Sequence, residues 1–391
     1  MAKLETIMSS SGCYGCGACL NQCGCEAIIM TRNDHGFDHP QINKEKCVDC
    51  DLCYSVCPAV EENTEKLFSD GGPLAVYSIR HKDSNERKKS SSGGLFSALS
   101  DYALGQGGVV CGVAWKSNIS VEHICALDFN DRERMKLSKY IQSDTNKCFY
   151  KIRDYLRSGK TVLFTGTPCQ TAALKLFIDE GNCERLILCD VLCGGNVSPG
   201  LFSDYISYIE KMKKDRAVSV CFRTKKYGWK QHHIQIDLEH STYEGARKDD
   251  EPFFTLYLKK YSIRESCFSC GFASVKRVSD ITMGDFWGVD KADPEIDDDI
   301  GISLAMANTK KGVKVLNDIS DQVFMEQRDI QLAIPKQLNL RTPPTPPKNR
   351  QNFWNDYCHK GGELVLKKYT TFGYKNRIKS SLSKFKRKLF A

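Results

Sequence analysis

Cysteine spacing constrains this chain more than any other feature. Cys13-Tyr-Gly-Cys16-Gly-Ala-Cys19-Leu-Asn-Gln-Cys23 is a C-x-x-C-x-x-C-x-x-x-C run, and Cys47-Val-Asp-Cys50-Asp-Leu-Cys53-Tyr-Ser-Val-Cys57-Pro58 repeats it. Three thiolates so closely spaced grip three corners of a cubane, while the fourth, one helical turn onward, is carried to the neighbouring cluster. The pattern therefore assigns Cys13, Cys16, Cys19 and Cys57 to one 4Fe–4S cluster, and Cys47, Cys50, Cys53 and Cys23 to a second. Structural zinc, the competing use of such thiols, takes two separated C-x-x-C pairs rather than a tripled one. Gly15, Gly17 and Ala18 suit a backbone wrapped closely around sulfide. Nine of the 20 cysteines lie in the first 57 residues, and MAKLETIMSSSG lacks the apolar core of a signal peptide. Metal or redox use in the cytoplasm is thus expected, rather than an exported disulfide framework.

Residues 10 to about 60 resemble a bacterial-type two-cluster ferredoxin. The segment departs at Cys23-Gly24-Cys25, where such ferredoxins commonly have Cys-Pro, and Cys25 is read as a spare, packed thiol.

Charge narrows the partners. The net +8 is concentrated in residues 375–391, which hold seven Lys/Arg and no acid, so the rest of the chain is at +1. Residues 1–66 carry five basic and ten acidic residues. A near-neutral body behind an acidic head argues against nucleic-acid binding. In the tail, Ile378, Leu382, Phe385 and Leu389 fall on one helical face amid basic residues, the pattern of a helix that contacts an anionic membrane surface. A solvated terminus, or docking on the acidic head, competes with that reading. No apolar run approaches the length of a membrane-spanning helix.

From Leu74 onward, apolar and amphipathic runs alternate. Strands are predicted at 108–114, 161–164, 185–191, 218–222, 233–238, 280–283 and 302–307, and helices at 95–104, 146–158, 169–178, 199–213 and 310–319. This alternation predicts an α/β body with a mixed sheet. Neither G-x-G-x-x-G nor G-x-x-x-x-G-K-[ST] occurs in a strand–helix context, so fingerprinted dinucleotide and P-loop sites are absent. Two loops remain able to receive phosphate: Ser90-Ser91-Ser92-Gly93-Gly94 before a helix, and Thr165-Gly166-Thr167-Pro168 between a strand and a helix. His232-His233 is read as an isolated pair on a strand edge. Cys169 and Cys193 follow strands, and Cys267 and Cys270 form a C-x-x-C pair. On spacing alone, a third cluster and a set of buried small thiols are equally good readings. Cys111, Cys125, Cys148, Cys183, Cys189, Cys221 and Cys358 show no partner pattern and are read as core or surface thiols.

The strings SSSGGLFSAL, SKYIQS (138–143), FTGTPCQ (164–170), DVLCGG (190–195), FRTKKYGW (222–229), SCFSCGFASVKRVSDITMGDFWG (266–288) and GISLAMANTKKG (301–312) occur in that order. Together they resemble the beta subunit of coenzyme F-420-reducing hydrogenases and dehydrogenases, from about Pro73 to Asn317. The resemblance implies a flavin, FAD in preference to FMN, beside an iron–sulfur cluster. It makes Ser92, Gly93, Gly94, Ser138, Lys139, Gln142, Thr165, Gly166, Thr167, Pro168 and Gln170 the flavin-site candidates. It also implies that Cys169, Cys193, Cys267 and Cys270 ligate the third 4Fe–4S cluster. Asp285 and Trp287 fall in its most specific segment, with Trp287 read either as packed near the redox centres or as plain core. A departure stands at Gly194, where relatives often carry histidine.

The fold expected is an α+β ferredoxin-like head with two 4Fe–4S clusters, followed by an α/β flavin-binding body with a mixed sheet. The head spans 1–66, the two parts of the body 67–160 and 161–330, a Pro-containing connection and C-terminal element 331–374, and the basic tail 375–391. The function implied is an iron–sulfur flavoprotein oxidoreductase acting on a small organic substrate. Its electron partner is ferredoxin, F-420 or a nicotinamide, with peripheral contact at the inner membrane face through the tail. The alternative is a non-catalytic subunit that wires a ferredoxin to a separate catalytic partner.

Overall fold

Strands with apolar residues at every position are covered on both faces. Val162–Gly166 and Ser303–Ala307 come close to this, with Thr165 and Ser303 as their polar side chains, and are buried throughout. The computed structural model describes residues 3–9, 12–68, 71–178, 181, 183–246 and 251–371; the basic tail lies outside the described residues. Thirteen strands are described: β1 (Ile28–Arg32), β2 (Asp38–Ile42), β3 (Ala75–His81), β4 (Val109–Trp115), β5 (Val121–Ala126), β6 (Val162–Gly166), β7 (Leu186–Val191), β8 (Ala217–Cys221), β9 (His233–Leu238), β10 (Thr242–Ala246), β11 (Ile281–Asp285), β12 (Ser303–Ala307) and β13 (Val323–Gln327).

Eight of them form one sheet in the order β13-β3-β12-β11-β7-β6-β4-β5. Its centre, β11-β7-β6-β4, is parallel, and antiparallel strands extend it on both sides. Alternate residues serve opposite faces. Val110, Leu163 and Ile187 pack under the helices Leu95–Gly105 and Lys310–Asp318. Cys111, Phe164 and Leu188 pack under Cys148–Arg157 and Pro168–Phe177. A smaller antiparallel sheet, β10-β9-β8, packs with the helices Pro199–Lys213 and Pro252–Leu258. Strands from both 67–160 and 161–330 share the large sheet, so these segments build one body.

The head is a β1-β2 hairpin with the short helices Ala18–Gln22 and Leu52–Ser55. It is a ferredoxin-like element in front of a mixed-sheet α/β body. The body grips it at several points. Thr145 Oγ1 donates to Cys16 O at 2.9 Å, Asn21 Nδ2 to Asn146 O at 2.7 Å, and Ser198 Oγ to His35 O at 2.7 Å. The C-terminal helix Arg350–Lys360 adds Trp354, whose indole stacks on the His35 ring at 4.6 Å. Among the described residues, no helix is long and apolar enough to cross a membrane.

Sequence patterning passes over β3, β5, β10 and β13. Three of these are edge strands. An edge strand has one neighbour and carries polar residues outward, which weakens its apolar signal. His233 is also corrected: it is buried and opens β9, the central strand of its sheet.

Candidate functional site

In the head, burial and mutual repulsion push the thiols of Cys16 and Cys19 well above the ordinary cysteine range, and Cys57 to about 11. The charges acting on these groups come from one another and from Cys13, and on Cys19 and Cys57 also from Cys53. Cys53 in turn feels Cys23 and Cys50. Cys57 is thus a neighbour of Cys13 and Cys16, Cys23 is a neighbour of Cys53, and the two sets adjoin one another. Backbone amides point at the sulfurs, with Gly15 N 3.3 Å from Cys13 Sγ and Ala27 N 3.3 Å from Cys23 Sγ. Buried thiols of this kind fit a metal cluster, because a bound cation takes the place of their protons. The positive φ of 64° at Gly15 brings its backbone against Gln142 and Arg264, and a Cβ there would lie 2.2 Å from Gln142 Nε2. Cys25 is exposed rather than packed. The second set lies nearer solvent, since Cys50 is exposed.

In the body, Cys169, Cys193, Cys267 and Cys270 converge although they are spread over 102 positions of sequence. Burial drives Cys169 well up, Cys267 to about 12 and Cys270 to about 11, with Cys193 a neighbouring charge for all three. Gly195 N and Asn196 N each approach a sulfur at 3.4 Å, Cys193 Sγ and Cys267 Sγ respectively. Cys169 also feels Cys16, so this quartet adjoins the first head set. Tyr14 lies between them, its ring 5.7 Å from that of Phe272. The donor set and its amides fit a 4Fe–4S cluster by the same reasoning.

Arg264 clamps the junction. It is 2% exposed and donates to Asp38 O at 2.7 Å, Gln142 Oε1 at 2.7 Å and His39 Nε2 at 2.9 Å. His39 must therefore be neutral at Nε2. Burial, and then the Arg264 charge, lower its pKa from 6.5 to about 4. The unfolded imidazole takes up a proton near 6.5 and the folded one does not, so stability falls as pH drops through 6.5 towards 4. Against His39→Gln, which keeps an acceptor without titrating, the thermal midpoint of the wild type is expected to fall between pH 7 and 5. Parallel curves would show that His39 does not titrate in this window.

A cavity of about 290 Å³ opens at the carboxyl ends of the parallel strands, where open α/β sheets receive ligands. Of the flavin candidates, Ser92, Gly94, Ser138, Lys139, Thr165, Gly166, Thr167 and Gln170 line it. Gly93, Gln142 and Pro168 are not among its lining residues. Gly93 N instead donates to Ser303 Oγ at 2.9 Å. Gln142 is a strut whose Nε2 donates to Tyr14 O and Gly15 O at 3.1 and 2.8 Å. Pro168 opens its helix and is buried, and Gln170 Oε1 accepts from Thr167 N at 3.0 Å. Lys139 Nζ donates to the carbonyls of Met135, Lys136 and Leu137 at 3.1, 2.7 and 3.1 Å, and burial draws its pKa down to about 7.

Further residues line the wall or support it from behind. Lys225 Nζ donates to Ser92 O at 2.7 Å and latches the serine–glycine loop. Asp285 lines the cavity and accepts from Arg223 at 2.7 Å and Trp229 Nε1 at 3.2 Å. Trp287 stacks on Trp229 with ring centroids 4.5 Å apart. At Gly194, a Cβ would meet Tyr257 Oη at 2.5 Å, and Lys260 Nζ donates to its carbonyl at 2.8 Å. Tyr257 and Lys260 thus occupy the space a side chain at 194 would need. Their contact with this backbone was invisible in sequence, since they lie more than 60 residues away.

The chain is similar to the F420-reducing [NiFe] hydrogenase complex from Methanosarcina barkeri, in a xenon-derivatised structure. That similarity has a TM-score of 0.45 and 18% identity, covering 78% of this chain and 95% of the other. An uncharacterized ferredoxin of Methanocaldococcus jannaschii is 28% identical over 86 residues, which are 22% of this chain and 97% of the ferredoxin. Residues 12–60 match the 4Fe-4S dicluster domain. Residues 159–332 match the family model for the C terminus of the coenzyme F420 hydrogenase/dehydrogenase beta subunit. With its cysteine-bearing head docked on a body of this kind, the chain is an iron–sulfur electron-transfer protein that joins a 4Fe-4S dicluster domain at residues 12–60 to a domain at residues 159–332 of the kind that forms the C terminus of the coenzyme F420 hydrogenase/dehydrogenase beta subunit.

Proposed function

We propose that this chain is a flavin-dependent iron–sulfur oxidoreductase that moves electrons between its head and an organic substrate held in the body cavity. One observation carries the reading: Cys193 belongs to the body's cysteine quartet and also lines the cavity. The cysteine sets adjoin in order: Cys53, of the set with Cys23, Cys47 and Cys50, neighbours Cys19 and Cys57, Cys16 neighbours Cys169, and Cys193 lines the cavity. A bound flavin, FAD in preference to FMN, exchanges single electrons with clusters and electron pairs with organic substrates. The chain's own part is to bind and orient. The hydroxyls of Ser92, Ser138, Thr165 and Thr167 and the backbone of Gly94 and Gly166 offer the polar lining for phosphate and ring edges, while Leu95, Val113 and Met283 supply apolar wall. Lys139, when protonated, adds a cation. The electron partner at the head is a ferredoxin, F-420 or a nicotinamide.

Anaerobically reconstituted protein is expected to release about one flavin per chain on acid treatment. Lys139→Ala and Gly93→Val are each expected to weaken flavin binding by about tenfold, or about 1.4 kcal/mol. The first removes the cation; in the second, the new Cβ meets Ile79 O at 2.2 Å and Ser303 N at 2.6 Å, which displaces the loop before Gly94. Protein that keeps its iron but never binds flavin at saturating FAD would overturn the proposal in favour of the non-catalytic electron carrier.

A further inference from the structure

Three cysteines that show no partner pattern in sequence spacing meet at one point. Cys111 of β4 and Cys125 of β5 are directly opposed in the antiparallel register, so their side chains leave the sheet on one face. The helix Cys148–Arg157 covers that face, and Cys148 is its first residue. Cys111 Sγ lies 2.7 Å from Cys125 Sγ, which lies 3.7 Å from Cys148 Sγ, and all three sulfurs fall within 4.8 Å of one another. Cys111 and Cys148 are buried, with Phe149, Ile152 and Phe164 in the same apolar cluster. Cys125 is half-buried on the edge strand, which leaves one side of the group towards solvent. Among the described residues, no fourth His, Cys, Asp or Glu joins the group.

We propose that Cys111, Cys125 and Cys148 form a trithiolate site for a thiophilic d10 ion such as Zn2+, apart from the cluster cysteines. Thiolate sulfur selects soft and borderline ions over hard ones. Three protein ligands with an open fourth position is an established zinc arrangement. Zinc–sulfur bonds of about 2.3 Å at tetrahedral angles hold sulfurs about 3.8 Å apart. Cys125 and Cys148 already stand at that separation, and Cys111 reaches it by moving roughly an ångström, within what a χ1 adjustment allows. The ion would tie β4, β5 and the start of the helix together. The preceding residues, Thr145 and Asn146, hold Cys16 O and Asn21, so the site would brace the seat of the first head set.

The test uses the full chain, purified anaerobically with its iron, loaded with Zn2+ alone and passed over a weak chelator. Metal analysis is expected to find about one retained zinc per chain. Cys125→Ser and Cys148→Ser are each expected to lower zinc retention at least tenfold with iron unchanged. Should a variant lose iron as well, the wild type decides: zinc is expected to protect Cys111, Cys125 and Cys148 from alkylation, read by peptide mass spectrometry. Equal zinc retention in the variants would overturn the proposal, as would the absence of both retention and protection. A Cys111–Cys125 cross-linked peptide in protein that excludes zinc would overturn it too, and would make the pair a dithiol–disulfide couple.

Discussion

Replacing Cys267 and Cys270 together by serine is expected to lower the iron content from about twelve to about eight atoms per chain. The two sulfurs are half of the body's quartet, and a cubane left with two thiolates is not retained. The head sets draw no sulfur from this segment, so their spectroscopic signals should persist. Docking of the head should persist as well, because its anchors here are Arg264 and Ser266, whose Oγ donates to Cys13 O at 3.0 Å. Iron and sulfide analysis of anaerobically purified protein reads the result. Full iron retention would falsify the quartet as a cluster site. Loss of all iron would show that the head cannot hold its clusters without the body's.

Arg277→Met should be the most destabilising single change that spares every cysteine. Arg277 Nη2 lies 2.9 Å from an Asp190 carboxylate oxygen, and the two side chains are 2% and 1% exposed. Removing one partner of a buried pair leaves the other charge stranded, at a cost of about 3–5 kcal/mol. Arg277 also donates to Phe272 O at 2.9 Å and Ser274 O at 3.3 Å, just past Cys270. Asp190 is three residues before Cys193. The pair therefore joins the two chain segments that bring the quartet together, and its loss should also deplete body iron. Anaerobic denaturant unfolding with iron analysis measures both effects. Removing both charges, in Asp190→Leu with Arg277→Met, is expected to recover most of the stability, because no buried charge then lacks a partner. A loss below about 1 kcal/mol in Arg277→Met would mean that water or another group takes over its role.

How much was legible follows from where contacts close. The head's ligand pattern is local: within each run, two or three residues separate successive cysteines, and covalent geometry limits where their sulfurs go. Buried strands such as Val162–Gly166 and capped helices such as Pro168–Phe177 were also legible, from continuous apolar runs and from Pro at the helix start. Gln142 shows the limit. Its motif neighbours suggested the cavity, yet its amide is spent on the Cys13–Cys16 loop, a partner more than 120 residues distant.

The sequence by itself determined the cysteine pattern of the head, the mixed α/β character of the body and the order of motifs that carries its resemblance. Which cysteines of the body meet was not in the spacing: the resemblance named one quartet, and the tertiary structure alone decided the trio and how either set is brought together. Cys169, Cys193, Cys267 and Cys270 come together because β6 and β7 are parallel neighbours whose carboxyl ends face one side, towards the C-x-x-C loop. Cys111, Cys125 and Cys148 come together through a strand register and the placement of one helix start. Strand order and register are set by the whole core at once, because each strand must bury its faces against several distant segments. Spacing along the chain carries no record of that choice.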